Sequence, residues 1–376
     1  MRLTTLQRFE FSAAHQLRGE GLEARLHGHN FVVWVGVSGP TQPATGRVIP
    51  LADLTTAVNG TLARYDHRHL NMTLGDVEPT PTNVARALWS DLQPALAAPL
   101  ALDSITLLEE GGPGFAVTST GAAGIVTGEF SAAHRTHAPR LSDAENLALY
   151  GLCNNPAGHG HNYRAELYLP PGAAVPHGLW AEFDHKNLSA DIPDLRGRNV
   201  VTEAIAKLVA RRVPQARRVR VWETAAFFAE YDAAEARYRL GRRYRFNAAH
   251  RLHNPRLTPE ENRRLYGPCH SPDPHGHTYL VEITVAGVLD PRTETAYDLG
   301  QLDQRAGDIL SALDYTDLDD EVAAFRDDPS TGENIAAYLW SRFADQVGRA
   351  LEAVSVWETA GRAFRVEAAH KAVRLE

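Results

Sequence analysis

The sequence predicts an α+β protein made of three tandem units that share one order of strands and helices. Three observations predict this fold class. Four short motifs recur three times in the same order. Segments rich in β-branched and aromatic residues begin and end each unit, and segments with a helical apolar period lie between them. The units predicted from these repeats are residues 1–124, 125–236 and 237–376.

Each unit opens on a strand-like segment that ends in Ala-Ala-His and then reaches a His-Gly-His segment. These nine histidines are His15, His27 and His29, then His134, His159 and His161, and finally His250, His275 and His277. In an extended chain both histidines of His-Gly-His point to one face, which is a chelating arrangement. The Ala-Ala-His histidine on a neighbouring strand can supply a third nitrogen. Three histidines leave one tetrahedral position open, so the pattern favours a catalytic type of zinc site in each unit.

The two cysteines of the chain, Cys153 and Cys269, each lie six residues before a His-Gly-His segment. No C-x-x-C spacing is present, which disfavours a zinc finger. Their similar contexts predict one repeated chemical role rather than a disulfide. A metal cation or a histidine nearby would lower the thiol pKa and suit a general base. A small buried hydrophobic residue is the alternative interpretation.

Two further motifs carry carboxylates. The first gives Asp66 with His67, Asp184 with His185, and Asp314 with Tyr315. An imidazole that is oriented by a carboxylate suits proton transfer. The second closes each unit on a strand that ends in Glu109, Glu223 or Glu358. A planar ligand edge with adjacent N–H donors would match both oxygens of such a glutamate, and a salt bridge is the alternative.

The elements between the motifs follow in the same order in each unit. FVVWVGVSG and TYLVEITVAG predict strands, and Ile335, Leu339, Phe343 and Val347 predict the buried stripe of a helix. PTPTN and PSTGEN are typical helix starts. The middle unit has PPGAAVPHGLW where the first unit has the helical LADLTTAVNGTLARY, so we predict that it lacks this helix. The C-terminal FRVEAAH predicts a last strand of unit three, and we do not expect His370 to bind a metal.

Composition excludes several classes of function. A formal net charge of −8 without a basic run argues against a nucleic-acid partner. No apolar run reaches the roughly 18 residues that a membrane span needs, and the N-terminus lacks a secretory signal. We therefore expect a cytoplasmic protein with reduced thiols and no membrane partner.

The combination of FSAAH, C-x5-H-G-H-N-Y, D-H-K-N-L and W-E-T resembles the family of 6-pyruvoyl-tetrahydropterin synthase and 6-carboxytetrahydropterin synthase. The resemblance covers nearly the whole chain, once in each unit. It implies a tunnelling fold, in which each unit contributes four antiparallel strands with helices on one face. Three units then form a pseudo-trimeric twelve-stranded barrel. Two chains could stack as a homodimer that forms a pseudo-hexamer.

The same resemblance implies a function. The substrate would be 7,8-dihydroneopterin triphosphate, which loses triphosphate by elimination with Zn²⁺ as cofactor. Cys153 and Cys269 would move protons, together with Asp66, His67, Asp184, His185 and Asp314. Glu109, Glu223 and Glu358 would bind the pterin ring, with Glu203 and Glu333 as second contacts. The C-x5-H-x-H motif favours the 6-pyruvoyl product. A 6-carboxy product on the way to queuosine-type nucleosides and a non-catalytic pterin-binding zinc protein are the alternatives.

Three positions depart from the family pattern. Glu23 stands near the place of the thiol in unit one, Thr82 replaces the second glutamate there, and Tyr315 replaces the relay histidine in unit three. A glutamate in place of cysteine also resembles a branch that cleaves the side chain for folate synthesis, which is a further interpretation of site one.

The absence of the cysteine in unit one and of the relay histidine in unit three suggests that each cysteine uses the Asp-His pair of the preceding unit. The pairs would be Cys153 with Asp66 and His67, and Cys269 with Asp184 and His185. Both defects, Glu23 and Tyr315, would then fall in one site. The opposite order would leave Cys153 facing Tyr315.

Overall fold

A computed structural model describes residues 1–110 and 112–368 of the chain, so His370 lies outside the described residues. The strands of unit one are β1 (Arg2–His15), β2 (His27–Ser38), β3 (Arg68–His69), β4 (Ala101–Glu109) and β5 (Gly114–Thr118). Its helices are α1 (Leu51–Leu62), α2 (Leu70–Leu74) and α3 (Pro81–Leu92). The predicted strand and helix of this unit are confirmed by β2 and α1.

The strands of unit two are β6 (Gly121–His134), β7 (His159–Leu169), β8 (Lys186–Asn187), β9 (Arg218–Thr224) and β10 (Phe227–Asp232), and its helices are α4 (Asp143–Tyr150), α5 (Leu188–Asp191) and α6 (Thr202–Arg212). The strands of unit three are β11 (Arg237–His250), β12 (His275–Gly287), β13 (Thr316–Asp317), β14 (Leu351–Thr359) and β15 (Arg362–Glu367). Its helices are α7 (Pro259–Tyr266), α8 (Leu299–Leu310), α9 (Leu318–Glu321) and α10 (Gly332–Val347). The boundary predicted after residue 124 falls inside β6, and the one after residue 236 lies directly before β11.

Twelve antiparallel strands in the described part of the chain form a closed barrel, as the resemblance implied. Their order is β1, β2, β4, β5, β6, β7, β9, β10, β11, β12, β14 and β15, and β15 pairs again with β1. The two-residue strands β3, β8 and β13 pair in parallel with β1, β6 and β11. Closure gives every long strand two neighbours, so no long sheet edge is left open.

The helices cover the outer face of the barrel, and strand alternation divides the side chains between the two faces. In β1, Phe9, Phe11 and Ala13 are buried toward the helices, whereas Glu10 and Ser12 face the lumen. The predicted stripe of α10 is buried at all four positions, which confirms that interpretation. Among the described helices, none combines the length and the apolar character that crossing a bilayer requires.

The middle unit differs from its neighbours between β7 and β8. A 3-10 turn at Trp180–Glu182 occupies this segment, where α1 and α8 each have twelve residues. The Trp180 ring lies against Gly128, where an added Cβ would come within 2.0 Å of the ring. Trp180 also stacks on Phe130 at 6.1 Å between ring centroids. One large side chain therefore takes over part of the packing that a helix provides in the other units.

A buried cluster of charges joins units two and three on the lumen face. Glu230 on β10 lies opposite Arg220 of β9 and Arg239 of β11. Arg220 donates to its carboxylate at 2.8 Å, and Arg218 and Arg239 lie 3.7 Å away. Burial alone would raise the pKa of Glu230, but the three arginines outweigh it and lower the pKa to about 2. The carboxylate is therefore ionised and tied to both units.

We predict that Glu230→Ala lowers the free energy of unfolding by about 3 to 5 kcal/mol, because it leaves buried arginines without a partner. Urea denaturation followed by circular dichroism measures the change. The control is Glu10→Ala, which breaks the exposed pair of Arg8 and Glu10 and should cost less than about 1 kcal/mol. Equal losses in the two variants would contradict a stabilising role for the buried charges around Glu230.

Candidate metal centres and active site

Strand register brings the predicted histidines together in three triads. His15 pairs directly with His27, His134 with His159, and His250 with His275 across their antiparallel strands. The second histidine of each His-Gly-His points to the same face two residues later. In unit one the ring of His15 lies 4.5 Å from that of His27 and 5.1 Å from that of His29. The triads continue the outer, helix-facing side of the strands at one end of the barrel.

The buried histidine of each triad is oriented by a backbone carbonyl just before a helix. Nδ1 lies 2.8 Å from the Pro79 oxygen in His15, 2.7 Å from the Val200 oxygen in His134, and 3.3 Å from the Ser330 oxygen in His250. A carbonyl can only accept, so Nδ1 carries the proton and Nε2 presents a lone pair to the triad. This is the outer-sphere arrangement that orients metal-binding histidines.

Seven of the other ring nitrogens of the triads are buried and lack a hydrogen-bond partner in the described protein. They are His15 Nε2, His134 Nε2, both nitrogens of His159, His161 Nε2, His275 Nδ1 and His277 Nε2. Unpaired buried polar atoms are costly, and a cation would satisfy them. The donor atoms of each triad in units one and two lie within 4.8 Å of one another. These residues therefore fit a metal ion.

Burial also favours the neutral form of these histidines that a metal needs. It lowers the pKa of His15 and His134, and it lowers that of His250 to about 4. In unit three the possible donor sets include further groups, namely His250 with Cys269 and His275, or His250 with His277 and Glu358. The third site thus differs in its donors from the other two.

Both cysteines lie in 3-10 turns, at Gly151–Asn154 and Gly267–Cys269, that are tied to the triad strands. The carbonyl of Cys153 accepts from the Thr136 amide at 3.0 Å, and that of Cys269 accepts from Leu252 at 2.9 Å. The carbonyl of Glu23 accepts in the same way from Leu17 at 2.8 Å. In each unit the donor is two residues beyond the buried histidine. Glu23 therefore takes the structural position of the cysteines.

The thiols have higher pKa values than the sequence suggested. Burial raises the pKa of Cys153, and Glu223 raises it further against the opposing effect of Arg242. Burial and Glu358 do the same to Cys269. The protein's own groups thus act against the expected lowering of the thiol pKa, first through burial and then through the strand-end glutamates, and the lowering by a nearby cation stays a prediction.

Those strand-end glutamates lie beside the triads, and Glu358 also forms an ion pair with Arg362 at 4.0 Å. Glu223 Oε1 lies 3.6 Å from His161 Nε2, and Thr202 donates its hydroxyl to Glu223. Glu358 Oε1 lies 3.6 Å from His250 Nε2 and 3.7 Å from His277 Nε2. Glu109 is buried near His15, and burial raises its pKa. Two of the three carboxylates, Glu223 and Glu358, thus lie next to nitrogens of the metal-binding candidates.

Glu203 and Glu333 lie in the first turns of α6 and α10 and are fully enclosed. Glu203 is 2% exposed and accepts from the Ala296 amide of unit three at 3.1 Å. Burial raises its pKa to about 7, since that one amide offsets little of the desolvation. Thr82 takes the equivalent position at the start of α3 and has no carboxylate.

A cavity of about 780 Å³ lies between units two and three. Its lining includes Cys153, Glu203 and Glu223 from unit two, together with Arg242 and Asp303 from unit three. Arg242 and Asp303 form two hydrogen bonds of 3.0 Å each. The segment 288–300 of unit three completes the wall. A titratable cluster in a large cavity of this kind is a candidate active site.

Sequence reasoning missed the contribution of unit three to this cavity. Arg242 and Asp303 have no counterpart of the same type in the other units, so no repeat marked them. Tyr150 and Tyr266 did offer a signal, because each lies three residues before a cysteine. Their hydroxyls bond to the neighbouring unit, at the Thr293 and Thr45 carbonyls.

The Asp-His pairs lie at the rim of the barrel and point to solvent. Asp184 accepts from the Ser131 amide at 2.8 Å, and its other oxygen lies 2.8 Å from His185 Nδ1. Asp66 Oδ1 accepts from the Ser12 amide at 2.9 Å, and the same oxygen lies 2.9 Å from His67 Nδ1. His67, His185 and Tyr315 share positive φ values between 55° and 59°. Asp314 accepts from the Asn247 amide at 2.7 Å, beside an exposed Tyr315.

None of the described residues that line the Cys153 cavity belongs to an Asp-His pair. Within one chain the cavity faces the following unit, since its second wall comes from unit three. Asp66 and His67 do not line this cavity, and Cys269 lies outside it, so the pairings of Cys153 with Asp66 and His67 and of Cys269 with Asp184 and His185 stay predictions.

Comparison with known proteins gives one consistent result. A family model described as 6-pyruvoyl tetrahydropterin synthase matches residues 4–119, 125–234 and 239–369. The 6-pyruvoyl tetrahydrobiopterin synthase of Homo sapiens is 41% identical over 123 residues, which is 32% of this chain and 84% of that protein. The protein of that name from Poecilia reticulata is 44% identical over 100 residues, covering 26% of this chain and 68% of its own length.

Two further relatives match over about one unit. A putative 6-carboxy-5,6,7,8-tetrahydropterin synthase of Archaeoglobus fulgidus is 38% identical over 82 residues, which is 22% of this chain and 69% of that protein. The solved structure of Caenorhabditis elegans 6-pyruvoyl tetrahydropterin synthase matches with a TM-score of 0.34 and 30% identity, covering 35% of this chain and 96% of that one.

We predict that His134→Ala reduces the metal bound by one ion per chain, because Nε2 of His134 is one of three convergent donors in unit two. Mass spectrometry for metals on dialysed protein measures the content. The exposed His177→Ala serves as the control and should leave it unchanged. An identical metal content in both variants would contradict the site.

Proposed function

The chain belongs to the 6-pyruvoyl tetrahydropterin synthase family, and from this we propose that it is a zinc-dependent lyase acting on 7,8-dihydroneopterin triphosphate. The reaction would eliminate triphosphate and give a tetrahydropterin of the 6-pyruvoyl type. One observation carries the proposal. Cys153, Glu203 and Glu223 line one cavity of about 780 Å³, and Glu223 Oε1 lies 3.6 Å from Nε2 of His161, in a triad whose buried nitrogens lack partners.

The two glutamates give the cavity a binding surface for a pterin ring. The ring presents adjacent N–H donors along its pyrimidine edge, which match the paired oxygens of a carboxylate. Glu203 has one described hydrogen-bond donor from outside its own helix, the amide of Ala296, and so retains acceptor capacity. Glu223 is positioned by the Thr202 hydroxyl. The volume also suits a bicyclic ligand with a side chain, since pockets for small molecules usually span about 300 to 1,000 Å³.

His134, His159 and His161 would hold the zinc ion of this site. When bound, the ion would supply Lewis-acid polarisation of a substrate oxygen and a positive charge that lowers the pKa of a nearby thiol. Cys153 would then take a proton from one side-chain carbon and return it to another. Burial and then Glu223 raise the pKa of this thiol, and the charge of the ion would oppose that effect.

Asp184 and His185 suit a proton relay because Asp184 fixes the imidazole through Nδ1 and leaves Nε2 free to act. The side chain of His185 is 83% exposed and that of His67 is 82% exposed. We propose that a second chain stacks on this rim and supplies an Asp-His pair as the proton relay to the Cys153 cavity. The exposed Leu22, Leu152 and Met72 lie on segments near the same strand ends and support such a contact.

Two other functions remain as alternatives. A 6-carboxytetrahydropterin synthase would use the same cavity, and the relative from Archaeoglobus fulgidus carries that putative name. A pterin-binding zinc protein without turnover would keep the ring contacts alone. Incubation of zinc-loaded protein with 7,8-dihydroneopterin triphosphate separates the three, because released triphosphate requires an enzyme and the pterin product identifies the reaction. Absence of triphosphate release would exclude both enzyme functions.

We predict that Cys153→Ala lowers kcat by about 10² to 10⁴, the usual range for loss of a general base. Binding of 7,8-dihydroneopterin, followed by its fluorescence, should change little because the ring contacts are glutamates. A kcat within a factor of two of the unchanged chain would rule out Cys153 as the proton-transfer group.

Ring binding should also strengthen with pH. The pKa of Glu203 is raised to about 7 by burial, and the ionised form accepts N–H donors. The ionised fraction of Glu203 rises about tenfold between pH 6 and pH 8, so the affinity for 7,8-dihydroneopterin should rise by a similar factor. In Glu203→Gln the affinity should be lower and nearly independent of pH. A pH dependence that persists in this variant would assign the effect to another group.

A further inference from the structure

The helix glutamate of unit three, Glu333, has surroundings that are built like those of Glu203. Tyr150 bonds to the Thr293 carbonyl, and Tyr266 bonds to the Thr45 carbonyl. Three residues further along each segment, an amide donates to the buried helix glutamate: Ala296 to Glu203, and Val48 to Glu333. The segments 45–48 and 293–296 are therefore equivalent, and Arg47 stands where the open pocket has Thr295.

Arg47 fills the space beside its glutamate. Its Nη1 donates to Glu333 Oε2 at 3.4 Å, and the two side chains are 3% and 0% exposed. The guanidinium carbon also lies 5.9 Å from the centre of the Tyr266 ring. The other Glu333 oxygen accepts from the Thr5 hydroxyl at 2.9 Å and from the Val48 amide at 3.4 Å. Both oxygens of Glu333 therefore already have donors.

Thr295 behaves differently in the open pocket. Its hydroxyl pairs with that of Thr293 at 2.8 Å, and its side chain forms part of the cavity wall. Arginine and lysine are absent from the described hydrogen-bond and ion-pair partners of Glu203. The carboxylate of Glu203, with Thr295 at this position, thus lines a cavity. The carboxylate of Glu333, with Arg47 at this position, has hydrogen-bond donors on both oxygens.

The guanidinium group of Arg47 resembles one edge of the proposed ligand in its chemistry. A pterin carries its amino group on a ring carbon between two nitrogens, which makes that edge a cyclic guanidine. A guanidinium offers the same planar set of adjacent N–H donors to a carboxylate. Arg47 therefore offers Glu333, through Nη1 at 3.4 Å, a donor of the kind that a pterin edge would offer.

A second difference in unit three points the same way. Thr202, at the first position of α6, donates its hydroxyl to the strand-end Glu223. The equivalent residue of α10 is Gly332, where an added Cβ would come within 2.0 Å of the Phe364 ring. Glu358 has no threonine hydroxyl of this kind and lies between His250 and His277. Unit three therefore lacks the threonine donor that positions the strand-end glutamate of unit two, and it also lacks the free space beside its helix glutamate.

We infer that Arg47 is an internal mimic of the ligand that closes the unit-three pocket, so that the chain binds one pterin, at Glu203. Unit one adds no pocket of this kind because Thr82 supplies no carboxylate. The inference rests on the proposed function for the identity of the ligand and concerns which of the three pseudo-equivalent sites accepts it.

Titration calorimetry of the purified full-length chain with 7,8-dihydroneopterin tests the inference. We expect one equivalent bound per unchanged chain and two per Arg47→Thr chain, since threonine is the residue of the open pocket. Arg86→Thr makes the same charge change at an exposed helical position and should bind one. Arg47→Thr combined with Glu333→Gln should return to one, because the second site then lacks its carboxylate. Two equivalents in the unchanged chain, or one in a folded Arg47→Thr chain, would overturn the inference.

A second measurement tests the role of Arg47 independently of pterin binding. Methylguanidine at millimolar concentration should raise the Tm of Arg47→Thr by several degrees and leave that of Arg86→Thr unchanged, because it can refill the guanidinium position. If the unchanged chain binds no 7,8-dihydroneopterin, the proposed function fails while this rescue still decides the role of Arg47. Equal responses of the two variants would show that Arg47 does not fill a ligand-shaped position.

Discussion

Hydrogen bonding between the last strand of each unit and the first strand of the next is the constraint on which the other features depend. The β5–β6, β10–β11 and β15–β1 ladders close the barrel. Closure fixes each triad-bearing strand beside a helix of its own unit and a loop of the following one. The cavity at Cys153 exists because α6 and β9 of one unit meet residues 288–303 of another. Binding sites between units are thus a consequence of how the sheet closes.

Because the three units are joined in one chain, their three sites need not be identical. A homotrimer would repeat each substitution three times, whereas here Glu23 can replace a cysteine in one unit alone. Equivalent backbone bonds at Leu17, Thr136 and Leu252 hold these residues in one position. The scaffold is therefore preserved while the side chains differ. Loss of a thiol at one site and closure of another by Arg47 leave the fold intact, because neither change touches a strand ladder.

Buried carboxylates show how neighbours decide the state of similar groups. Glu230 and Glu203 are both almost fully enclosed. Three arginines around Glu230 lower its pKa to about 2, whereas Glu203, with the Ala296 amide as its contact from the facing unit, has a pKa of about 7. The first arrangement binds two units together. The second keeps an acceptor available at neutral pH, which is what a binding site for N–H donors needs.

The sequence by itself determined the repeat, the strands and helices, the histidine triads and the family, because these depend on local pattern and on spacing within one unit. The barrel followed from the resemblance. Tertiary structure alone decided which unit faces which site, since contacts such as Ala296 with Glu203 join residues about ninety positions apart. It also placed Cys153 where burial and Glu223 raise the pKa of the thiol, against the lowering expected from a nearby cation. No motif marked Arg47 in the sequence, because its contact with Glu333 joins residues 286 positions apart.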